Sequence, residues 1–277
     1  MAKPSKKKLV HGDDLLYRFF MDLFEEDSEL AGRLPTRMLA TMGIWLPLEV
    51  YYDWPVMLPW VVRDVSCRGN KAKGIPNAWG SPNELGFLRD DNSLIKGIPK
   101  SLSVATAGQG HLSGARMGNE FVASHIWRVV KHEDLASRLP LLNSFVPNLV
   151  WLPAQVSKLS DREGSPVQKT LQAMAWAIYR NAPVAPHLSD VVEEAWQLLP
   201  EPDLVHDLPD LNWFEPTNRF YSTRQARLDS VVNALERLEA GQALETKVVT
   251  TRYTEGLPDV ADRERAALAS HLNRFSS

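Results

Sequence analysis

Residues 118–161 read GNEFVASHIWRVVKHEDLASRLPLLNSFVPNLVWLPAQVSKLSD, and their pattern of apolar runs decides the expected fold. The apolar run 121–123 leads into SHIW, 124–127, and predicts a short strand that carries a histidine. A charged, irregular segment follows. NLVWL, 148–152, then predicts a buried strand that ends at a proline, and AQVSKLSD, 154–161, predicts a short helix. The expected order is therefore a strand with a histidine, a loop, a strand that opens with an asparagine, and a helix.

This order resembles the ββα-metal unit of the HNH, or His-Me finger, nucleases over roughly residues 118–162. The resemblance implies that His125 is the general base, that Asn148 holds the loop and the imidazole by hydrogen bonds, and that the helix binds a divalent metal. An imidazole that titrates near neutral pH can activate water, and Mg²⁺ can stabilise charge on a phosphate. It further implies a DNA endonuclease that hydrolyses phosphodiester bonds, with a role in restriction or phage defence.

The metal ligands depart from the family pattern. Ser124 precedes the histidine where the family has an acid or a second histidine, and Ser157 stands at a helix position that is often histidine or asparagine. Asp161, one helical turn beyond Ser157, is the best local oxygen ligand for Mg²⁺. The predicted metal ligands are therefore Asp161 and, more weakly, Ser124. Lys158 is an alternative, because its ammonium could lie on the scissile phosphate in place of a metal.

The charge of the chain is unevenly distributed. The formal net charge is −3, but residues 61–180 carry +6 while residues 1–60 carry −2 and residues 181–277 carry −7. The positive third contains the quoted stretch, which favours a polyanionic partner. The basic residues predicted to contact nucleic acid are Arg89, Lys96, Arg116, Arg128, Arg162, Arg219 and Arg224.

The composition is that of an ordinary globular protein, and the near absence of cysteine favours an intracellular, cytoplasmic one. The predicted elements indicate the α+β class, and the resemblance implies a ββα unit embedded in a mostly helical chain. The single cysteine excludes an intramolecular disulfide and a four-cysteine zinc site. No apolar run is long enough for a membrane span, and the basic N-terminus lacks the apolar run of a signal peptide. We expect a mobile basic tail at 1–12 and one globular unit at 13–277, with the ββα-like core at 118–162 and a helical C-terminal lobe at 165–277.

Outside the quoted stretch, the pattern predicts mainly helices. Residues 44–62 are rich in aromatics and prolines, which predicts short extended segments rather than one helix. Gly241 is expected to end a helix capped by Ser222 or Thr223. The predicted helices are 13–31, 165–181 with Ser165 as N-cap and Pro166 at its first position, 189–199, 222–240 and 259–275, and the alternating stretch 245–254 predicts a strand.

Other functions fit parts of the sequence. Asp90 and Asp91, within the turn-like segment 84–102, could bind Mg²⁺, although a helix-capping turn is the more ordinary interpretation. Pro-Asp at 209–210 followed by Glu-Thr-Lys at 245–247 is a weak match to the restriction-enzyme pattern.

Two non-catalytic interpretations stay open. One is a nucleic-acid-binding or protein-binding module that keeps a degenerate finger as scaffold, and the other is an interaction protein that exposes the aromatic stretch 44–62.

An endonuclease that cuts duplex DNA often acts as a two-fold dimer, so the endonuclease hypothesis is compatible with a homodimer.

Overall fold

The computed structural model describes residues 12–26, 28–60, 92–106, 112–131, 135–203, 208–244 and 257–275. Helices alternate irregularly with short strands along these ranges. The helices are α1 Gly12–Glu26, α2 Ser28–Met42, α3 Leu48–Asp53, α4 Asn92–Gly97, α5 Ala154–Ser160, α6 Pro166–Tyr179, α7 Ser189–Leu198, α8 Asn218–Glu239 and α9 Asp262–Asn273. The strands are β1 Ile44–Trp45, β2 Ser103–Thr106, β3 Phe121–His125, β4 Leu149–Pro153 and β5 Asn212–Glu215.

The five strands form one mixed sheet in the order β2-β5-β1-β4-β3. Strands β1 and β5 are parallel, and the other neighbours are antiparallel. Strands β3 and β4 pair along their full lengths, from Phe121 opposite Pro153 to His125 opposite Leu149. The described chain is therefore a mixed helix-and-sheet fold, as predicted, and the order of strand, loop, strand and helix over residues 121–160 is confirmed.

The aromatic stretch 44–62 lies in the interior as far as it is described. Trp45, Tyr51 and Trp60 are each 0% exposed. Tyr51 lies on the short helix α3, where its hydroxyl accepts a hydrogen bond of 3.0 Å from the Trp196 indole N–H, and its burial raises its pKa to about 12. The interpretation of this stretch as an exposed interaction surface is therefore wrong, because most of its large side chains complete the core.

The helix predictions hold where local signals are strong. Ser165 caps α6 by accepting a hydrogen bond of 3.2 Å from the Gln168 N–H, and Pro166 is the first helical residue. Gly241, with φ of 69°, follows α8 as expected of a residue that ends a helix in the left-handed region. The helix predicted over 13–31 is instead two helices, α1 and α2.

The C-terminal part departs from its prediction at two places. Helix α8 begins at Asn218 with the Thr217 hydroxyl accepting from the Phe220 N–H, so the predicted caps Ser222 and Thr223 lie inside the helix. Strand β5 lies between the predicted helices 189–199 and 222–240, in the lobe that was predicted to be helical, and it pairs with both β1 and β2. The predicted strand at 245–254 and residues 1–11 of the predicted tail lie outside the described residues.

Candidate functional site

His125 is the last residue of β3, and its ring is anchored to the loop that leads into β4. The ring Nε2 lies 2.8 Å from the backbone carbonyl oxygen of Asn143. A carbonyl can only accept, so Nε2 carries the proton and donates it. The neutral imidazole therefore has its basic lone pair on Nδ1.

Asn148 fastens the same loop at both of its ends. It is 0% exposed and ends a one-turn 3-10 helix directly before β4. Its Oδ1 accepts a hydrogen bond of 2.7 Å from the Trp127 N–H, and its Nδ2 donates to the Leu142 carbonyl at 3.1 Å. Its own carbonyl accepts from the Ile126 N–H at 3.0 Å. Asn148 thus connects Ile126 and Trp127, which follow His125, to Leu142. Leu142 is the neighbour of Asn143, whose carbonyl accepts the hydrogen bond from the His125 ring.

Ser124 lies on the other side of the sheet from His125. Neighbouring residues of a strand point to opposite faces, and the register puts Ser124 opposite Val150 but His125 opposite Leu149. Ser124 is 5% exposed, and its Oγ has no hydrogen-bond partner within the described part of the chain. The structure therefore puts Ser124, a predicted metal ligand, on the opposite face of the sheet from His125, the predicted base.

Helix α5 carries the other predicted groups. Its first N–H, from Ala154, donates 2.7 Å to the carbonyl of Glu120 beside the start of β3. Ser157 is buried and donates its hydroxyl to the Ala154 carbonyl, so it does not face an open site. Lys158 and Asp161 are exposed, and Asp161 follows the last residue of the helix.

Gln168 connects the turn after α5 to the end of β3, and its role was not predicted from the sequence. It is 1% exposed. Its Nε2 donates 3.4 Å to the carbonyl of Ile126 and 3.0 Å to a carboxylate oxygen of Glu163, while its Oε1 accepts 2.6 Å from the Gly164 N–H. The sequence held a signal for it, since a serine N-cap followed three residues later by glutamine is a capping box.

The described residues contain no preformed metal cluster. In those ranges, no group of three His, Cys, Asp or Glu side chains is arranged to hold a metal ion. Asp161 and Glu163 are nevertheless exposed carboxylates on the turn that Gln168 holds. Asp90 and Asp91, the alternative Mg²⁺ ligands, lie outside the described residues. So do the residues 245–247 of the restriction-enzyme pattern.

Arg224 is not available to a nucleic acid. It is 4% exposed, its Nε donates 2.9 Å to the Met57 carbonyl, and its Nη2 donates 3.2 Å to the Val56 carbonyl. Its guanidinium carbon lies 4.0 Å from the centre of the Trp54 ring, and burial lowers its pKa to about 10. The prediction that Arg224 contacts DNA is therefore wrong, because the side chain serves two backbone carbonyls in the core.

The other predicted phosphate contacts lie at or near the surface. Arg116, Arg128 and Arg219 are exposed, while Lys96 and Arg162 are half-buried. Arg89 lies outside the described residues. Three of the predicted cations are therefore accessible to a polyanion.

Comparison with protein-family models, curated proteins and solved structures finds no match to this chain. Within the described ranges, every helix is too short or too polar to cross a lipid bilayer.

Proposed function

We propose that this chain is a DNA endonuclease that hydrolyses phosphodiester bonds with His125 as general base. The observation that supports the proposal is the hydrogen bond of 2.8 Å from His125 Nε2 to the Asn143 carbonyl, in a loop that Asn148 fastens at both ends. A hydrogen bond from one ring nitrogen to a backbone carbonyl fixes the tautomer and the orientation of the ring. A general base requires both, because its lone pair must meet a water proton repeatedly in one orientation.

The chain's own groups account for the proton transfer. His125 Nδ1 takes a proton from water as the water oxygen bonds to phosphorus, and Nε2 keeps its proton on the Asn143 carbonyl throughout. The bond from phosphorus to the leaving 3′ oxygen breaks in the same displacement, and that oxygen takes a proton from solvent water. The resulting imidazolium is stabilised by that carbonyl. Asn148 acts as a positioning residue, since it contacts the loop and not the reacting atoms.

The residues predicted to bind Mg²⁺ would provide only part of its coordination shell, so substrate oxygens and water would have to complete it. Mg²⁺ in phosphate-processing sites commonly needs one or two carboxylates, with substrate oxygens and water as the remaining ligands. Asp161 is an exposed carboxylate that would hold the ion, whereas the placement of Ser124 does not support a ligand role. When bound, Mg²⁺ would supply positive charge to the phosphate, and Lys158 is the alternative source of that charge.

The DNA backbone would be contacted by the exposed Arg116, Arg128 and Arg219. Such contacts neutralise phosphates and make affinity fall with salt. A two-fold homodimer would present two His125 sites to the two strands of a duplex.

The test is a cleavage assay on modified and unmodified DNA, with Mg²⁺, Mn²⁺ or a chelator, comparing wild type with His125→Ala. We expect the variant to lose about 10²- to 10⁴-fold in rate, the range of a general base, and to keep its affinity for DNA. His187→Ala is the matched control, since His187 is an exposed histidine on a separate one-turn helix. Cleavage by His125→Ala at the wild-type rate contradicts the proposal.

A non-catalytic nucleic-acid-binding module is the second candidate. It is favoured by the placement of the two serines at the family's ligand positions, since the Ser157 hydroxyl bonds to the Ala154 carbonyl and Ser124 lies on the other face of the sheet from His125. It requires DNA binding that weakens steeply with salt and is unchanged in His125→Ala, with no metal-dependent turnover on any substrate.

A further inference from the structure

Gln168 joins two parts of the candidate site that are distant in sequence. One part is the segment directly after His125, and the other is the acidic turn 161–164 between α5 and α6. Gln168 uses all of its amide to do so, donating one bond of 3.4 Å to Ile126 and one of 3.0 Å to Glu163, and accepting one of 2.6 Å from Gly164. A buried amide with each function used is a rigid connection.

The shared Nε2 atom limits how far apart the two parts can be. The Glu163 carboxylate oxygen and the Ile126 carbonyl oxygen bond to the same nitrogen, so they lie within roughly 6.5 Å of each other. Ile126 follows His125 directly, and its N–H donates to the Asn148 carbonyl. The residue after the candidate base is therefore held by Asn148 from one side and by Gln168 from another.

The turn that Gln168 holds also carries Asp161, the candidate ligand. Gly164 has φ of 74°, a conformation that lets the chain reverse from α5 into α6. The Gly164 N–H is bonded to Gln168, and the Ser165 N–H donates 3.1 Å to the Arg162 carbonyl. The turn is thus closed on itself and tied to β3 through Gln168.

We propose that Gln168 is the positioning residue that sets the acidic turn 161–164 against the His125 end of β3. Its action rests on the proposed function, because it matters for catalysis only if His125 and the turn serve one site. Asn148 holds the base through the loop between the strands, while Gln168 holds the acidic side of the site relative to the base. Gln168 does not touch a reacting atom in this arrangement.

The experiment uses the full chain with Gln168→Met, which keeps the side-chain volume and removes the three hydrogen bonds. Gln172→Met is the matched control, because Gln172 lies one turn later on α6 and is half-buried. Amide hydrogen exchange at Ile126 and Trp127 is measured first, together with the global unfolding of each variant. We expect exchange at both amides to rise about tenfold more than the loss of global stability explains, and to be unchanged in Gln172→Met.

The second readout is kinetic. Under conditions where each variant is folded, we expect Gln168→Met to lower kcat about tenfold or more with little change in KM, since it disturbs the geometry of the reaction and not the DNA contacts. Glu163→Gln keeps an acceptor for Gln168, so it should retain the slow exchange of the wild type. A Gln168→Met protein that exchanges like the wild type after correction for stability overturns the inference.

The exchange result is independent of turnover. If the wild type cuts no DNA, the proposed function fails while exchange still reports whether Gln168 holds the turn. If the wild type cuts DNA and Gln168→Met has the same kcat, Gln168 is only a structural brace, and the inference fails while the proposed function stands.

Discussion

Two fully buried asparagines in one loop, Asn148 and Asn143, provide a matched test of the hydrogen bonding at the candidate site. Each is 0% exposed. The Asn148 amide has a partner on both its oxygen and its nitrogen, whereas the Asn143 amide has none within the described residues. Replacing each by leucine, which has a similar shape, should therefore lower the free energy of unfolding at Asn148 but not at Asn143.

The loss of unfolding free energy in Asn148→Leu depends on whether each group that bonded to Asn148 keeps another hydrogen-bond partner. The Trp127 N–H bonds only to Asn148 among the described contacts, so it would be left buried without an acceptor, at a cost of about 1–3 kcal/mol. The Leu142 carbonyl would keep a longer bond of 3.4 Å from the Phe145 N–H, so its loss is smaller, about 0.5–1 kcal/mol. We expect a total destabilisation of about 1.5–4 kcal/mol.

Asn143→Leu should be neutral or stabilising by about 1 kcal/mol, because it removes buried polar atoms that make no hydrogen bond. It leaves intact the backbone carbonyl that accepts from His125. Urea unfolding followed by tryptophan fluorescence measures both variants, and the nine tryptophans of the chain provide the signal. The reasoning is refuted if the two substitutions cost the same, or if Asn148→Leu costs less than about 0.5 kcal/mol.

Two further predictions concern a histidine and an arginine whose pKa values are lowered by burial. Burial, with a smaller contribution from Arg274, lowers the pKa of His271 from 6.5 to about 4, so the unfolded chain takes up the proton first. The stability that neutral His271 provides is complete above pH 6.5 and is lost as the pH falls toward 4, by about 3 kcal/mol. Urea unfolding of wild type and His271→Gln at about pH 7.5 and 4.5 measures this, and a wild-type-minus-variant difference that is constant with pH contradicts it. Arg224→Lys should destabilise the chain by about 2 kcal/mol. A lysine ammonium cannot donate hydrogen bonds to the Val56 and Met57 carbonyls and at the same time stack on the Trp54 ring, as the planar guanidinium does. If Arg224→Lys has the same thermal unfolding midpoint as the wild type, the guanidinium hydrogen bonds contribute nothing to stability.

The sequence alone determined the elements whose signals are local. The strand with His125, the second strand and the helix that follows appear where the apolar runs and prolines placed them, although the second strand begins at Leu149, one residue after the predicted Asn148. The cap at Ser165 and the stop at Gly241 were also evident, since each depends on a few neighbouring residues and on the backbone conformation those residues favour. Such features require no knowledge of what the rest of the chain does.

Only the tertiary structure decided how these elements meet. Strand β5 is four residues long and gains its conformation by pairing with β1 and β2, so no local pattern marked it. Arg224 looked like a surface cation on a helix and is buried because carbonyls more than 160 residues away require donors. Gln168 was not singled out by the sequence pattern, and in the structure it holds Ile126, a residue 42 positions earlier. Contacts of this kind depend on distances through space, which spacing along a single chain does not encode.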